Sequence, residues 1–146
     1  LLREVMSDEF LHSMPASGIG EQVALAALDK VGCQYSQDLR YEEGYYDCSS
    51  LVQRLYAEFG INLPSVASTQ GQYIVDNGLQ VSENELRPGD LIFHSRDTNA
   101  GEFMSIGHVA IYVGNGMQVD ARGTAYGVVY RPLVPSNIGL YGRPCR

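Results

Sequence analysis

Cys48, His108 and Asp120 are the residues whose types and positions could do chemistry together. Cys48 lies in "EEGYYDCSSLVQRLYAEFG", residues 42–60, where a tyrosine-rich loop meets a helical pattern. Cys48, Leu51, Val52, Leu55, Tyr56 and Phe59 recur at the three-and-four spacing of one buried face. Asp47 is placed to cap that helix and Gly60 to stop it. A cysteine in phase with the stripe suits packing, because free cysteine is among the most buried residue types. A thiol in the first turn also meets the positive end of the helix, whose free N–H groups stabilise a thiolate and can hold an oxyanion. To act as a nucleophile it needs a base, and the base needs an orienting group.

A hairpin farther along offers both. "HVAIYV", 108–113, and "MQVDA", 117–121, flank Gly114-Asn115-Gly116. Val109, Ile111 and Val113 share one face, as do Met117, Val119 and Ala121. Both apolar sets reach the same side only if the connection has an odd residue count, which a three-residue loop with a left-handed glycine satisfies. That register sets Asp120 across from Ala110, one diagonal step from His108. Spacing alone leaves packing and a Cys-His-Asp site as equal readings of Cys48. His12 and His94 lack such a partner and read as surface residues, and Glu42 and Glu43 read as a solvated acidic loop.

The elements that must position these side chains follow from local patterns. Residues 21–31 form an alanine-rich helix stopped by Gly32, and "LPS", 63–65, opens another with Ser65 as N-cap and Gly78 as terminator. After "RPGD", 87–90, strands are expected at 91–94, 108–113, 117–121 and 127–133. Helices first and strands later predict an α+β fold with a small antiparallel sheet. Leu2, Val5, Met6, Phe10 and Leu11 are loosely helical before the break at "PASGIG", 15–20. Residues 1–20 are therefore read as a linker or packing segment and 21–146 as the domain. The opening "LLREVMSDEF" lacks an initiator methionine, as a piece of a longer protein would. A length of 146 residues suits one domain, and a net charge of −7 argues against a general nucleic-acid binder. No apolar run is long enough to span a bilayer, and no signal peptide is present in the sequence. Cys33, Cys48 and Cys145 have no C-x-x-C pairing, which argues against a structural zinc site. A Cys33–Cys145 disulfide would leave Cys48 as the free thiol, but nothing in the spacing argues for it.

Four segments in order, "ALDKVGCQY", "YDCSSLVQRLYAEFGINLP", "LRPGDLIF" and "GHVAIYVGNG", give the chain a resemblance to the NlpC/P60 family of cell-wall cysteine peptidases over about residues 21–143. The resemblance implies a papain-like α+β fold, with N-terminal helices packed on a small antiparallel sheet. It implies hydrolysis of peptidoglycan stem peptides, after a D-γ-glutamyl residue and before diaminopimelate or lysine. Cys48 would be the nucleophile, His108 the general base and then acid, and Asp120 the third polar residue. Tyr35, Asp47 and Ser49 would bind substrate by holding the stem peptide's free amino end. No metal or organic cofactor is implied. The implied setting is a bacterial surface or wall, with room for an upstream wall-directed domain.

The chain departs from the family pattern in three places. Asp120 stands where His, Asn or Gln is usual, Ser50 replaces a glycine, and "SQDLRYEEG", 36–44, replaces a tryptophan-glycine segment. Two other readings compete: a wall-binding module without catalysis, and a Cys-His amidase or acyltransferase with an apolar groove beside Cys48.

Overall fold

The helical stripe and the alternating strands of the sequence bury their apolar faces against each other in one core. The computed structural model describes residues 18–145. In chain order it contains α1 (Ile19–Asp29), the short strands β1 (Gln34–Tyr35) and β2 (Tyr45–Tyr46), α2 (Cys48–Ala57) and α3 (Ala67–Asp76). The strands β3 (Leu91–Ser95), β4 (Ile106–Gly114), β5 (Met117–Gly123), β6 (Gly127–Pro132) and β7 (Ile138–Gly142) follow. These five form an antiparallel sheet in the order β6-β5-β4-β3-β7, while β1 and β2 make a separate parallel pair. The α+β expectation holds. All three helices pack on the central strand β4. Val23 and Ala27 of α1 and Leu51, Leu55 and Tyr56 of α2 close over Val109, Ile111, Val119 and Ala121 of the hairpin. The helical pattern of residues 1–13 and His12 lie outside the described residues.

Asp47 caps α2 as its sequence position suggests. Its Oδ1 accepts the Ser50 N–H at 2.8 Å, and Ser50 Oγ accepts the Asp47 N–H at 2.9 Å. This reciprocal box satisfies two backbone donors and explains a serine at a position with no exposed surface. The next helix differs from expectation. Val66, not Ser65, is its N-cap, because the Val66 carbonyl takes the first helical bond, from Gln70 N–H at 2.9 Å. The Ser65 carbonyl instead receives Arg40.

The hairpin also differs in detail. Its turn is the two-residue Asn115-Gly116, with φ of 55° and 73°, and the odd residue sits in a bulge between Tyr112 and Gly114. Parity survives because a bulge adds one residue, as a longer loop would. Ile111 faces Val119, so Asp120 lies level with Ala110. Neither β7 nor the β1–β2 pair is legible in the sequence, since "IGLYG" is broken by glycine and the other pair is two residues per strand. All three cysteines are unbridged.

The "RPGD" turn that starts β3 is held from two sides. Tyr56 O–H donates to the Gly89 carbonyl, and Arg143 donates Nε and Nη2 to the two oxygens of buried Asp90, each at 2.9 Å. Gly89 has φ +95°, and a Cβ there would meet the backbone of Gly20 at 2.3–2.6 Å. Gly101 has a similar φ, +98°, with open space around it. Gly89→Ala should therefore cost about 2 kcal/mol or more, and Gly101→Ala about 1 kcal/mol. Urea unfolding of the two variants checks the difference, and equal losses would mean the Gly20 contact is soft.

Candidate active site

Helix α2 begins with Cys48, half-buried and still accessible. The N–H of Ser50 is taken by Asp47, but those of Cys48 and Ser49 have no acceptor within the helix. Cys48 lines a cavity of about 310 Å³ together with Tyr35, Asp47, Ser49, Arg96 and His108. His108, on β4 and only 5% exposed, places its Nε2 at 2.8 Å from Asp120 Oδ2. That leaves Nδ1 as the ring nitrogen for Cys48, which lines the same cavity. The structure thus brings Cys48, His108 and Asp120 together, and sets Tyr35, Asp47 and Ser49 around the same space.

Asp120 has no exposed surface. Its Oδ1 accepts Gln118 Nε2 at 3.1 Å and Arg131 Nε at 3.0 Å, while Oδ2 accepts Arg131 Nη2 at 2.6 Å as well as the imidazole. Burial alone would push its carboxyl upward, but the bonds from His108 and Arg131 outweigh it and hold the group well below the usual carboxylate range. Burial likewise opposes charge on His108. Asp120 and Cys48 overcome that effect and raise the imidazole from 6.5 to about 9. The site therefore holds a protonated imidazole near neutral pH, the partner that a thiolate needs.

Three residues escaped sequence reasoning. His94, expected at the surface, is 6% exposed and faces His108 across the β3–β4 ladder, with ring centroids 5.9 Å apart. Its Nδ1 donates to the Ser136 carbonyl at 3.0 Å, and its Nε2 is buried without a partner among the described residues. Burial lowers its pKa, which keeps a second positive charge away from His108. Part of its cover comes from the β6–β7 connection, which no local pattern around residue 94 reveals. It lines a second cavity, of about 260 Å³, with Arg96, His108, Arg122 and Arg131. Arg131 was readable only by carrying the strand alternation on to β6, where it pairs with Gln118.

Arg40 is the third. Its Nε lies 3.0 Å from Asp47 Oδ2, an ionic contact outside hydrogen-bond alignment, and its Nη2 donates to Ser49 Oγ at 2.9 Å. Arg54 Nη1, from α2, fixes the loop by donating to the carbonyls of Arg40, Glu42 and Tyr45 at 2.9, 3.3 and 2.7 Å. Glu42 and Glu43 are exposed and do not line the Cys48 cavity. Tyr35 does line it. Its phenol is raised by burial and then by the neighbouring Cys48, so it remains an O–H donor.

Residues 32–138 match the model of the NlpC/P60 family. The chain belongs to the NlpC/P60 family. It is 38% identical over 96 residues to the "Probable endopeptidase p60" of Listeria seeligeri, covering 66% of this chain and 16% of that protein. It is 33% identical over 88 residues to the "Gamma-D-glutamyl-L-lysine dipeptidyl-peptidase" of Bacillus cereus, covering 60% of this chain and 24% of that protein. The structure of NlpC2 from Trichomonas vaginalis superposes with a TM-score of 0.77 at 27% identity, over 91% of this chain and 49% of that one. The chain thus spans less than a quarter of the length of these two curated relatives. Cys48, His108 and Asp120, with Arg40 and Arg131, all fall inside the matched NlpC/P60 segment. Among the described residues of this NlpC/P60 chain, no His, Cys, Asp and Glu side chains are grouped to hold a metal ion, and no helix is long and apolar enough to cross a membrane.

The charge on His108 has a measurable consequence. Its folded pKa lies above the unfolded value, so its stabilisation is complete below about 6.5 and is lost as pH rises through about 9. Asp120→Asn removes the anion, and the His108 titration midpoint, followed by ¹⁵N NMR, should fall from about 9 toward the ordinary 6.5. An unmoved midpoint would show that Asp120 does not set the imidazole's charge.

Proposed function

We propose that this NlpC/P60 domain is a cysteine peptidase that hydrolyses peptide bonds in peptidoglycan stem peptides, between D-γ-glutamate and diaminopimelate or lysine. The observation that carries the reading is one imidazole that bonds a buried carboxylate and lines the same cavity as a thiol at a helix N-terminus. The choice of bond follows the NlpC/P60 resemblance and is supported by the name of the Bacillus cereus relative.

Cys48 Sγ attacks the scissile carbonyl, and the unpaired N–H groups at the start of α2 stabilise the oxyanion. His108 Nδ1 delivers its proton to the leaving amine, which departs as the thioester forms. His108 then takes a proton from water as that water attacks the thioester, and Cys48 is regenerated. Asp120 keeps Nε2 protonated and fixes the ring, and Arg131 and Gln118 fix Asp120 in turn.

The segment before the domain is read as a linker or packing segment and the domain, whose α1 already begins at Ile19 rather than at 21, as catalytic, working at the surface or wall of a bacterium. Asp47, Arg96, Glu102 and Arg122 make the cavity polar and charged, which disfavours an acyltransferase for apolar substrates. A wall-binding module without catalysis has no use for a carboxylate-bonded imidazole on the same cavity as the thiol.

Cys48→Ala should abolish release of muropeptides from purified walls, read by mass spectrometry, while costing on the order of 1 kcal/mol in stability. Cys33→Ser should leave release intact, and Asp120→Ala should slow it about 10²-fold or more. Wall hydrolysis by folded Cys48→Ala protein would overturn the mechanism.

A further inference from the structure

The loop that departs from its family brings a positive charge to the carboxylate expected to receive a substrate amine. Asp47 has both oxygens engaged, Oδ1 by the Ser50 N–H and Oδ2 by Arg40. What it presents to the cavity is a neutralised pair rather than an anion. Ser49 Oγ accepts from Arg40, so its remaining hydrogen-bonding preference is to donate its own proton. Tyr35 offers a second O–H donor on the same wall. The other charged groups lining the cavity, apart from His108 with its Asp120 partner, are Arg96, Arg122 and Glu102, the last already accepting from Ser68 Oγ at 2.8 Å. An ammonium ion entering here meets an excess of positive charge and has to compete with Arg40 for Asp47. A neutral acylated nitrogen meets no such barrier, and its carbonyl suits the donors of Ser49 and Tyr35.

We propose that Arg40 is a specificity-determining residue that sets this domain to accept stem peptides whose N-terminal nitrogen is acylated, as it is where the peptide is still attached to the glycan, and to discriminate against free amino ends. The inference rests on the stem-peptide reading above and makes the domain an enzyme of the intact wall rather than of released peptides. Arg40 is held ready for this. Its carbonyl is gripped by Arg54, its guanidinium is shared among Asp47, Ser49 and the Ser65 carbonyl, and the loop around it is braced by a Tyr41 O–H to Gln53 Oε1 bond of 2.6 Å.

The test compares kcat/KM for L-alanyl-γ-D-glutamyl-L-lysine and its N-acetyl form, and for the diaminopimelate counterparts, in the wild type, Arg40→Met and Arg40→Lys. The wild type should cleave the acetylated peptide at least as well as the free one. Arg40→Met, which frees the Asp47 carboxylate, should shift the ratio toward the free amine by about tenfold or more, the scale of one charged hydrogen bond. Arg40→Lys keeps the cation and should stay near the wild-type ratio. A ratio is insensitive to how much of a variant is folded, so a merely structural role for Arg40 leaves it unmoved. Wild-type preference for the free amine, or the same ratio in Arg40→Met, overturns the proposal while leaving the peptidase reading standing. Cleavage of none of the peptides, nor of glycan-linked stems, overturns both.

Discussion

A carboxylate with no exposed surface is the constraint around which the sheet side of the candidate site is arranged. Asp120 can remain ionised in the interior only if enough donors surround it, and an imidazole, a guanidinium and an amide converge to supply them. Each comes from the sheet: His108 from β4, Gln118 from the same strand as Asp120, and Arg131 from β6. Satisfying this one charge aligns three adjacent strands and fixes the ring that meets Cys48. Removing the carboxylate would leave a half-buried guanidinium facing an imidazole, so orientation and local stability are coupled through the same atoms.

The opposite wall follows different physics. Helix α2 needs a cap, Asp47 provides it, and the residue after the cap is the thiol. Capping with Asp rather than a neutral side chain leaves a second carboxylate oxygen at the mouth of the site, and Arg40 compensates it. The two buried or nearly buried carboxylates of the cleft are thus each matched by an arginine from elsewhere in the chain, one on a strand and one on a loop. The protein keeps Asp120 bonded to the imidazole and Asp47 at the cavity wall, so the two carboxylates act on separate parts of the site.

Much of this was readable from periodicity. The stripe from Cys48 to Phe59 announced α2, and strand alternation with an odd connection put Asp120 on the His108 side even though the turn was built from two residues and a bulge. Parity is what the side chains require, and more than one backbone geometry meets it. Arg40, His94 and Arg131 were not found because their significance comes from contacts distant in sequence. His94 looks like a strand end until residues 134–137 cover it, and Arg40 lies in a loop with no period. Ser65 was misread for a local reason: a good capping residue one step from the true cap is indistinguishable by composition alone. Strand β7 carries too little apolar pattern to announce itself, and its place beside β3 is decided by the open sheet edge.

Arg54 binds three carbonyls of the 40–45 turn and lays its guanidinium 4.1 Å from the ring of Tyr46. The turn is therefore mechanically part of the helix that bears the thiol, not a free flap. Transplanting the loop alone into a relative would strand it without its anchor, while moving residues 36–54 together would carry both the charge and its mounting. For anyone recombining domains of this family, the natural crossover points lie outside that cassette rather than between its loop and its helix.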